Sequence, residues 1–470
     1  MIRPLLLLAC LCACPTLSAR PAPTDDAPAS TPRPATETDA RQALDAWIAA
    51  FNRGDRATWE AFGQRYGSAM NIDNLLEFRD SIGGFVLARR EPAEGGTAVA
   101  LLRERESDNH ARLRVTLEPG PTARIDLAGV PTPPDLKPAR LDAQSALDDV
   151  AAFADAASAK DAFAGALLIA QGDEVLLQGA WGLADRATGA GNTLDTRFRL
   201  GSMNKMLTSV AILQLVQAGK VSLDGTLGDY LQAYPNPDMR RATVRQLLSH
   251  RAGAGDIFGP EFDRQRERLR THADYLALYG ARAPAHPPGA RHDYSNYGFV
   301  LLGAIIEAVS GQDYYAYVEE HILVPAGMRD TGSLPESDHM PRRARAYMRT
   351  RGQWLDAAHT LPWRGTAAGG GYSTVGDLLR FARALQGGRL LDPSLLAVAT
   401  RPDDAGYGLG FTAGEFEGLP WYGHGGGSAG MNTEFRVFPS LGRVVIGLAN
   451  VDPPVAQRLV DRYLARMPLE

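Results

Sequence analysis

Ser202 and Lys205 stand three residues apart in the stretch RLGSMNKMLTSVAILQLVQAGK, a spacing that sets a nucleophile beside a base. The chain's lysines are Lys137, Lys160, Lys205 and Lys220, and only Lys205 has a serine three positions before it. Positions i and i+3 of a helix share a face, so the Lys205 amine is expected beside the Ser202 hydroxyl. A serine hydroxyl is a weak nucleophile until a neighbouring base takes its proton. A buried lysine can be that base, because burial disfavours the ammonium form. The ordinary alternative for an isolated S-x-x-K is a solvated helix start with a surface lysine. Two further boxes weigh against it: Tyr294-Ser295-Asn296, a Y-x-N, and His424-Gly425-Gly426-Gly427 in WYGHGGGSAG.

In this order the three boxes resemble those of the serine β-lactamase and penicillin-binding-protein superfamily. The resemblance is to its class C-like branch, which holds family VIII esterases, D-alanyl-D-alanine carboxypeptidases and D-aminopeptidases. Gln246-Leu247-Leu248-Ser249-His250, the stretch from Tyr294 to Gly311, Val324 to Gly332 and Ala367 to Leu385 also look like segments of that branch. The resemblance runs from about residue 142 to the carboxyl end. It implies a mixed α/β, two-lobed fold with an antiparallel sheet and a helical lobe. It also implies a serine hydrolase working through an acyl-enzyme, with no cofactor and no metal. Ser202 is then the nucleophile, Lys205 holds its proton, and Tyr294 relays the proton to the leaving group and later activates water. The N–H groups of Ser202 and Gly427 form the oxyanion hole, and Asn296, His424, Gly425 and Gly426 bind substrate, Asn296 donating to a substrate amide or to Lys205. His424 departs from the lysine usual in this box. Histidine is mostly neutral at pH 7, so a fixed cation for a substrate carboxylate is lost and efficient β-lactam hydrolysis comes into doubt. The substrates implied are a small ester, a peptide or a cell-wall-type compound. A β-lactamase or D,D-carboxypeptidase is the alternative, and a non-catalytic penicillin-recognising module the third reading.

Each box has a rival. Tyr234-Pro235-Asn236 is a second Y-x-N, but its flanking prolines mark a turn-rich loop, and it follows Ser202 too closely. Gly426-Gly427-Ser428-Ala429-Gly430 reads as the G-x-S-x-G elbow, which needs a helix after it and a histidine later in the chain. The following residues alternate like a strand, and no histidine follows His424. The other histidines show no metal-ligand spacing. His250 reads as a packing or capping residue, and His292 as a loop residue near the site mouth.

Several elements must position these groups. Met206, Val210, Leu213 and Val216 recur on one face of a helix ending at Gly219. Before it come a helix near Ala143 to Ala159 and a hairpin, Ala164 to Gln171 and Glu174 to Ala180, turning at Gly172-Asp173. Strands resume around Tyr407 to Thr412, Trp421 to Gly425, Thr433 to Pro439 and Arg443 to Asn450, and a helix from Pro454 to Met467 closes the chain. Residues 142–470 thus form the hydrolase domain. Residues 37–130 read as a small α+β accessory domain. Leu44, Trp47, Ile48 and Phe51 line one helix, Trp59, Phe62 and Tyr66 suggest a second, and four alternating strands follow. Its opening resembles nuclear-transport-factor-like (SnoaL-like) cone domains. A proline-rich linker, 131–141, joins the two.

At 470 residues the chain has room for more than one domain. Apolar content of 45%, charged content of 22% and a net charge of −5 describe an ordinary globular composition, and with no basic run they argue against nucleic acid. Residues 1–19 run from a basic start through LLLLACLCAC to Ser18-Ala19, the pattern of a secretory signal peptide. Residues 20–36 form a Pro-, Ala- and Thr-rich spacer. All three cysteines lie in the export segment. Cleavage behind Ala19 leaves a mature chain without cysteine, in the periplasm or secreted. A lipobox ending at Cys14 or Cys10 instead gives a lipoprotein, and membrane attachment is expected only in that case.

Overall fold

The computed structural model describes residues 35–68, 70–118, 122–350 and 352–470. The expected signal peptide, its lipobox alternative and nearly all of the spacer lie outside these residues. The chain divides into two compact units, one ending at Pro138 and the other covering Ala139–Glu470.

The smaller unit begins with α1 (Glu37–Arg53), started by a capping box between Thr36 and Asp39 and ended by Gly54 at φ 69°. Leu44, Trp47 and Phe51 are buried on its inner face, whereas Ile48 is only half-buried. Next come α2 (Arg56–Tyr66), which buries Trp59, Phe62 and Tyr66, and α3 (Ile72–Ile82). The sequence reading lacks α3, although Ile72, Leu75, Leu76 and Ile82 recur at helical spacing; Ile82 is buried, and Ile72, Leu75, Leu76 and Phe78 pack half-buried against the core. Strands β1 (Phe85–Glu91), β2 (Thr97–Glu104), β3 (His110–Leu117) and β4 (Ala123–Val130) form an antiparallel meander in that order. Trp47 packs against Phe51, Trp59 and Phe85 with ring centroids 5.1–6.5 Å apart.

In the larger unit α4 (Ala143–Ala159) precedes the hairpin β5 (Gly165–Gln171) and β6 (Glu174–Trp181), with Gly172 at φ 54° in the turn. After the central helical region come β7 (Thr412–Phe416), β8 (Leu419–Ser428), β9 (Met431–Phe438) and β10 (Arg443–Ala449). They join one six-stranded antiparallel sheet in the order β7-β8-β9-β10-β5-β6. Its middle strands are buried on both faces. Ala166, Leu168 and Ala170 of β5 face the core shared with the helical lobe. Leu167 and Ile169 face the core made with α4 and the closing helix, Val455–Arg466. Side chains alternate across a strand, so such a strand is apolar at every position. The mixed α/β, two-lobed arrangement expected from the sequence is the one observed.

Two expectations change. The helix after the nucleophile, α5 (Lys205–Gln217), is enclosed on all sides, with Lys205 through Leu213 and Leu215 buried. It is a core helix rather than one with a single apolar face. Tyr407–Phe411 is not a continuous strand: Tyr407 makes only an isolated bridge to Thr412, where the strand begins. Here the chain crosses α5 so closely that a Cβ on Gly410 would lie 2.4 Å from that of Ser209.

Candidate active site

Three elements converge on Ser202. The first is the turn Gly201–Asn204, a single 3₁₀ turn leading into α5. Gly201 has φ 57°, which favours glycine and aims Ser202 out of the turn. Residues i and i+3 eclipse in 3₁₀ geometry, and the Lys205 amine lies 3.1 Å from Ser202 Oγ. The second element is α6 (Asn296–Ser310), whose N-cap Ser295 accepts from Gly298 N and donates to Gly255 O. This cap ties Tyr294 and Asn296 to the loop 250–256. The third is the last half of β8. Its partner β7 pairs only as far as Gly423, so His424–Ser428 have an open edge toward the nucleophile turn. A Cβ on Gly426 would lie 2.2 Å from Leu200 O and 3.0 Å from Ser202 N, so only glycine permits this approach.

Lys205 is completely buried. Its amine contacts three acceptors: Ser202 Oγ, Asn296 Oδ1 at 2.7 Å and the Ala368 carbonyl. Burial drives its pKa from the ordinary lysine value down to about 7, opposed by the charge of Asp256. Carbonyl oxygens can only accept, so a neutral amine spends its two hydrogens on Asn296 and Ala368. Its lone pair is then left facing the Ser202 hydroxyl. The Lys205 amine also lies 4.8 Å from the Tyr294 ring centre. Burial raises the Tyr294 hydroxyl above the usual phenol range, opposed by a hydrogen bond with Ser202. With 39% of the residue's surface open, water moderates that rise. Tyr294 is therefore a neutral phenol at rest. The cationic neighbour that could make it a base is itself largely uncharged above pH 7.

Asn296 accepts from Lys205 and donates through Nδ2 to both carboxylate oxygens of Asp256, each at 3.1 Å. It therefore accepts from Lys205 where donation was expected. His424 is also tied differently from a substrate-facing group. Its Nδ1 donates to the Gly425 carbonyl at 2.6 Å, and its Nε2 accepts from Tyr407 at 2.9 Å. Burial, then the charge of Lys205, depress its pKa to about 3, so the imidazole is neutral. It is 4% exposed.

Sequence reasoning passed over three residues: Asp256, Tyr407 and the full part played by His250. His250 is buried with φ 57° and receives the Ser295 N–H on Nδ1. Its ring centre lies 4.1 Å from that of Tyr294, forming one wall for the tyrosine. The ring of His292 lies 5.8 Å away, behind that wall. An unusual backbone at a non-glycine leaves no local sequence signal, and Asp256 and Tyr407 lie on irregular loops far from the boxes. The rivals occupy structural places. Tyr234 shares a buried hydrogen bond with Tyr297, and Asn236 caps the turn at Met239. Ser428 ends β8 and is followed by a tight turn into another strand. Among the described residues no group of three or more His, Cys, Asp or Glu side chains is placed to hold a metal ion.

A serine and a buried lysine on one turn, a tyrosine at a second helix start and a glycine-lined strand edge, on this two-lobed fold, define a serine hydrolase of the β-lactamase-related type. Residues 150–467 match the family model described as Beta-lactamase, and the chain belongs to that family. It is 29% identical over 309 residues to "Penicillin-binding protein 4" of Amycolatopsis lactamdurans, covering 61% of this chain and 80% of that protein. It is 30% identical over 305 residues to "Esterase EstB" of Burkholderia gladioli, 57% of this chain and 77% of that one. The match to a "D-aminopeptidase" of Brucella anthropi is 27% identical and spans 57% of this chain and 52% of the relative. Among solved structures, a D-stereospecific amidohydrolase from Streptomyces is 30% identical with a TM-score of 0.56, covering 68% of this chain and 96% of its own. A penicillin-binding protein from Bacillus halodurans gives 28% and 0.60, covering 68% and 98%.

Proposed function

We propose that the protein is an exported serine hydrolase that cleaves a small ester or peptide through an acyl-enzyme on Ser202. The observation that carries this reading is the Lys205 amine. It is buried, shifted to about 7, and held by two carbonyl oxygens so that its lone pair faces the hydroxyl. Such a base is matched to work near neutrality. Ser202 Oγ attacks the carbonyl carbon as its proton moves to Lys205 Nζ. The N–H groups of Ser202 and Gly427 receive the oxyanion. Tyr294, neutral and hydrogen-bonded to Ser202, hands a proton to the leaving group and is recharged from the Lys205 ammonium. In deacylation, water gives its proton back along the same path.

The names of relatives support the substrate class, since they include an esterase and a D-aminopeptidase. A β-lactamase or D,D-carboxypeptidase is less supported. The neutral His424, turned toward Tyr407, offers no cation to a substrate carboxylate. A purely binding module has no use for a lysine buried at this cost. Export rests on the pattern of residues 1–19. The mass of the mature chain tests it, because cleavage behind Ala19 and lipidation at Cys10 or Cys14 give different masses.

Fluorophosphonate labelling followed by peptide mapping tests the mechanism, with the adduct expected on Ser202. An adduct on Ser428, or undiminished labelling of Ser202→Ala, overturns it. A parallel panel of p-nitrophenyl esters, nitrocefin and D-Ala-D-Ala peptides should show turnover of the esters or peptides well above that of nitrocefin.

A further inference from the structure

Asp256 touches neither Ser202 nor Lys205, yet its carboxylate ends the hydrogen-bond chain that holds them. One oxygen, Oδ1, accepts the backbone N–H groups of Ile257 at 2.6 Å and Phe258 at 3.1 Å, which fixes the carboxylate in its turn. Both oxygens then accept from Asn296 Nδ2. A carboxylate is acceptor-only, whereas a carboxamide offers a donor at one end and an acceptor at the other. Facing Asp256, Asn296 can satisfy the contact only by presenting its NH₂, and this turns its Oδ1 toward Lys205. Were the amide reversed, its NH₂ would meet the Lys205 amine. It would then compete with Ser202 for the lone pair or repel the ammonium.

We propose that Asp256 is a positioning residue that sets the polarity of Asn296 and thereby keeps the Lys205 lone pair free for Ser202. The inference rests on the acyl-enzyme reading given above. Lys205 is surrounded by Ser202, Tyr294 and Asn296, with the imidazoles of His250 and His424 close enough for its charge to depress both. Burial keeps those imidazoles neutral, and the negative charge acting on Lys205 is that of Asp256. The same residue therefore orients the base and supports its protonated form once the serine proton has arrived.

The test compares Asp256→Asn with Asp256→Ala by the rate of fluorophosphonate labelling across pH 5 to 9, with the melting temperature measured alongside. Asparagine keeps Oδ1 for the Ile257 and Phe258 N–H groups and for one contact with Asn296, but replaces Oδ2 by a donor set against the same Asn296 NH₂. Alanine removes both. If Asp256 only shapes its loop, asparagine is mild and alanine harsh. If it sets Asn296, asparagine slows labelling at least as much as alanine, and by about tenfold or more. In both variants the acid limb of the profile moves to lower pH, because the anion that raised Lys205 is gone. Labelling of Asp256→Asn at the wild-type rate with an unmoved acid limb overturns the inference and leaves the acyl-enzyme reading standing. A wild-type protein that takes no label on Ser202 overturns both.

Discussion

At the scale of single residues, the site depends on burial more than on charge pairing. Because Lys205 must be neutral to accept the serine proton, Ser202 acylation should rise with pH around a midpoint near 7. A tenfold slower rate is expected about one pH unit below that midpoint. Stopped-flow labelling between pH 5 and 9 measures this, and a pH-independent rate would remove Lys205 from the base role. Burial acts on His424 in the same direction, but the consequence is for stability. Its folded pKa near 3 lies below the unfolded value near 6.5. Between those values the unfolded chain binds the extra proton, so stability falls as pH drops through that window. At pH 5 this costs about 2 kcal/mol, to order of magnitude. His424→Gln can still accept from Tyr407, and it should lose correspondingly less stability than wild type between pH 7.5 and 5 in denaturant titrations. His250, also lowered by burial, adds a loss of the same sign in both proteins.

At the scale of elements, catalytic geometry depends on how closely β8 approaches the nucleophile turn. Two adjacent glycines should respond differently to substitution. Gly426→Ala would place a methyl group 2.2 Å from Leu200 O and 2.6 Å from Thr433 Oγ1, both held within the packed centre, so the strand must move away from Ser202. Loss of an oxyanion donor typically costs 10²–10³ in rate, and labelling of Gly426→Ala should fall by about that factor. Gly427→Ala meets only Pro453 Cγ at 3.1 Å, which can give, and should lose much less. Equal losses would mean that the strand edge does not set the site. Elements carrying their own chemical signal were legible in the sequence: S-x-x-K, Y-x-N and the glycine run each place a residue locally, and strands such as His110–Leu117 of the smaller unit alternate. What escaped was set by tertiary contact. The enclosure of α5 comes from segments far along the chain, as does the close crossing at Gly410. Tyr407 reaches His424 across the sheet edge, and Asp256 reaches Asn296 from a loop with no periodicity.

At the scale of the whole molecule, the boundary between the units lies where a few residues before α4 anchor the end of the chain. The Arg140 guanidinium donates to Leu464 O at 2.6 Å and Met467 O at 3.0 Å, and Leu141 N donates to Arg466 O at 2.8 Å. These bonds hold the closing helix, which with α4 covers one face of the six-stranded sheet through Leu459, Val460 and Tyr463. The expected division at residues 141 and 142 would cut through this anchor, whereas the compact unit starts at Ala139. A chain beginning at Ala139 should therefore fold alone and label on Ser202 at nearly the full-length rate. A chain beginning at Ala143 loses the Leu141 bond, both Arg140 bonds and the Asp142 cap of α4. A helix cap and a typical internal hydrogen bond each contribute about 1 kcal/mol, so its melting temperature should fall by several degrees with Ser202 labelling retained below the melt. If the Ala139 chain is insoluble or inactive while the full chain labels, the smaller unit takes part in the enzyme, and the two must be purified and assayed as one.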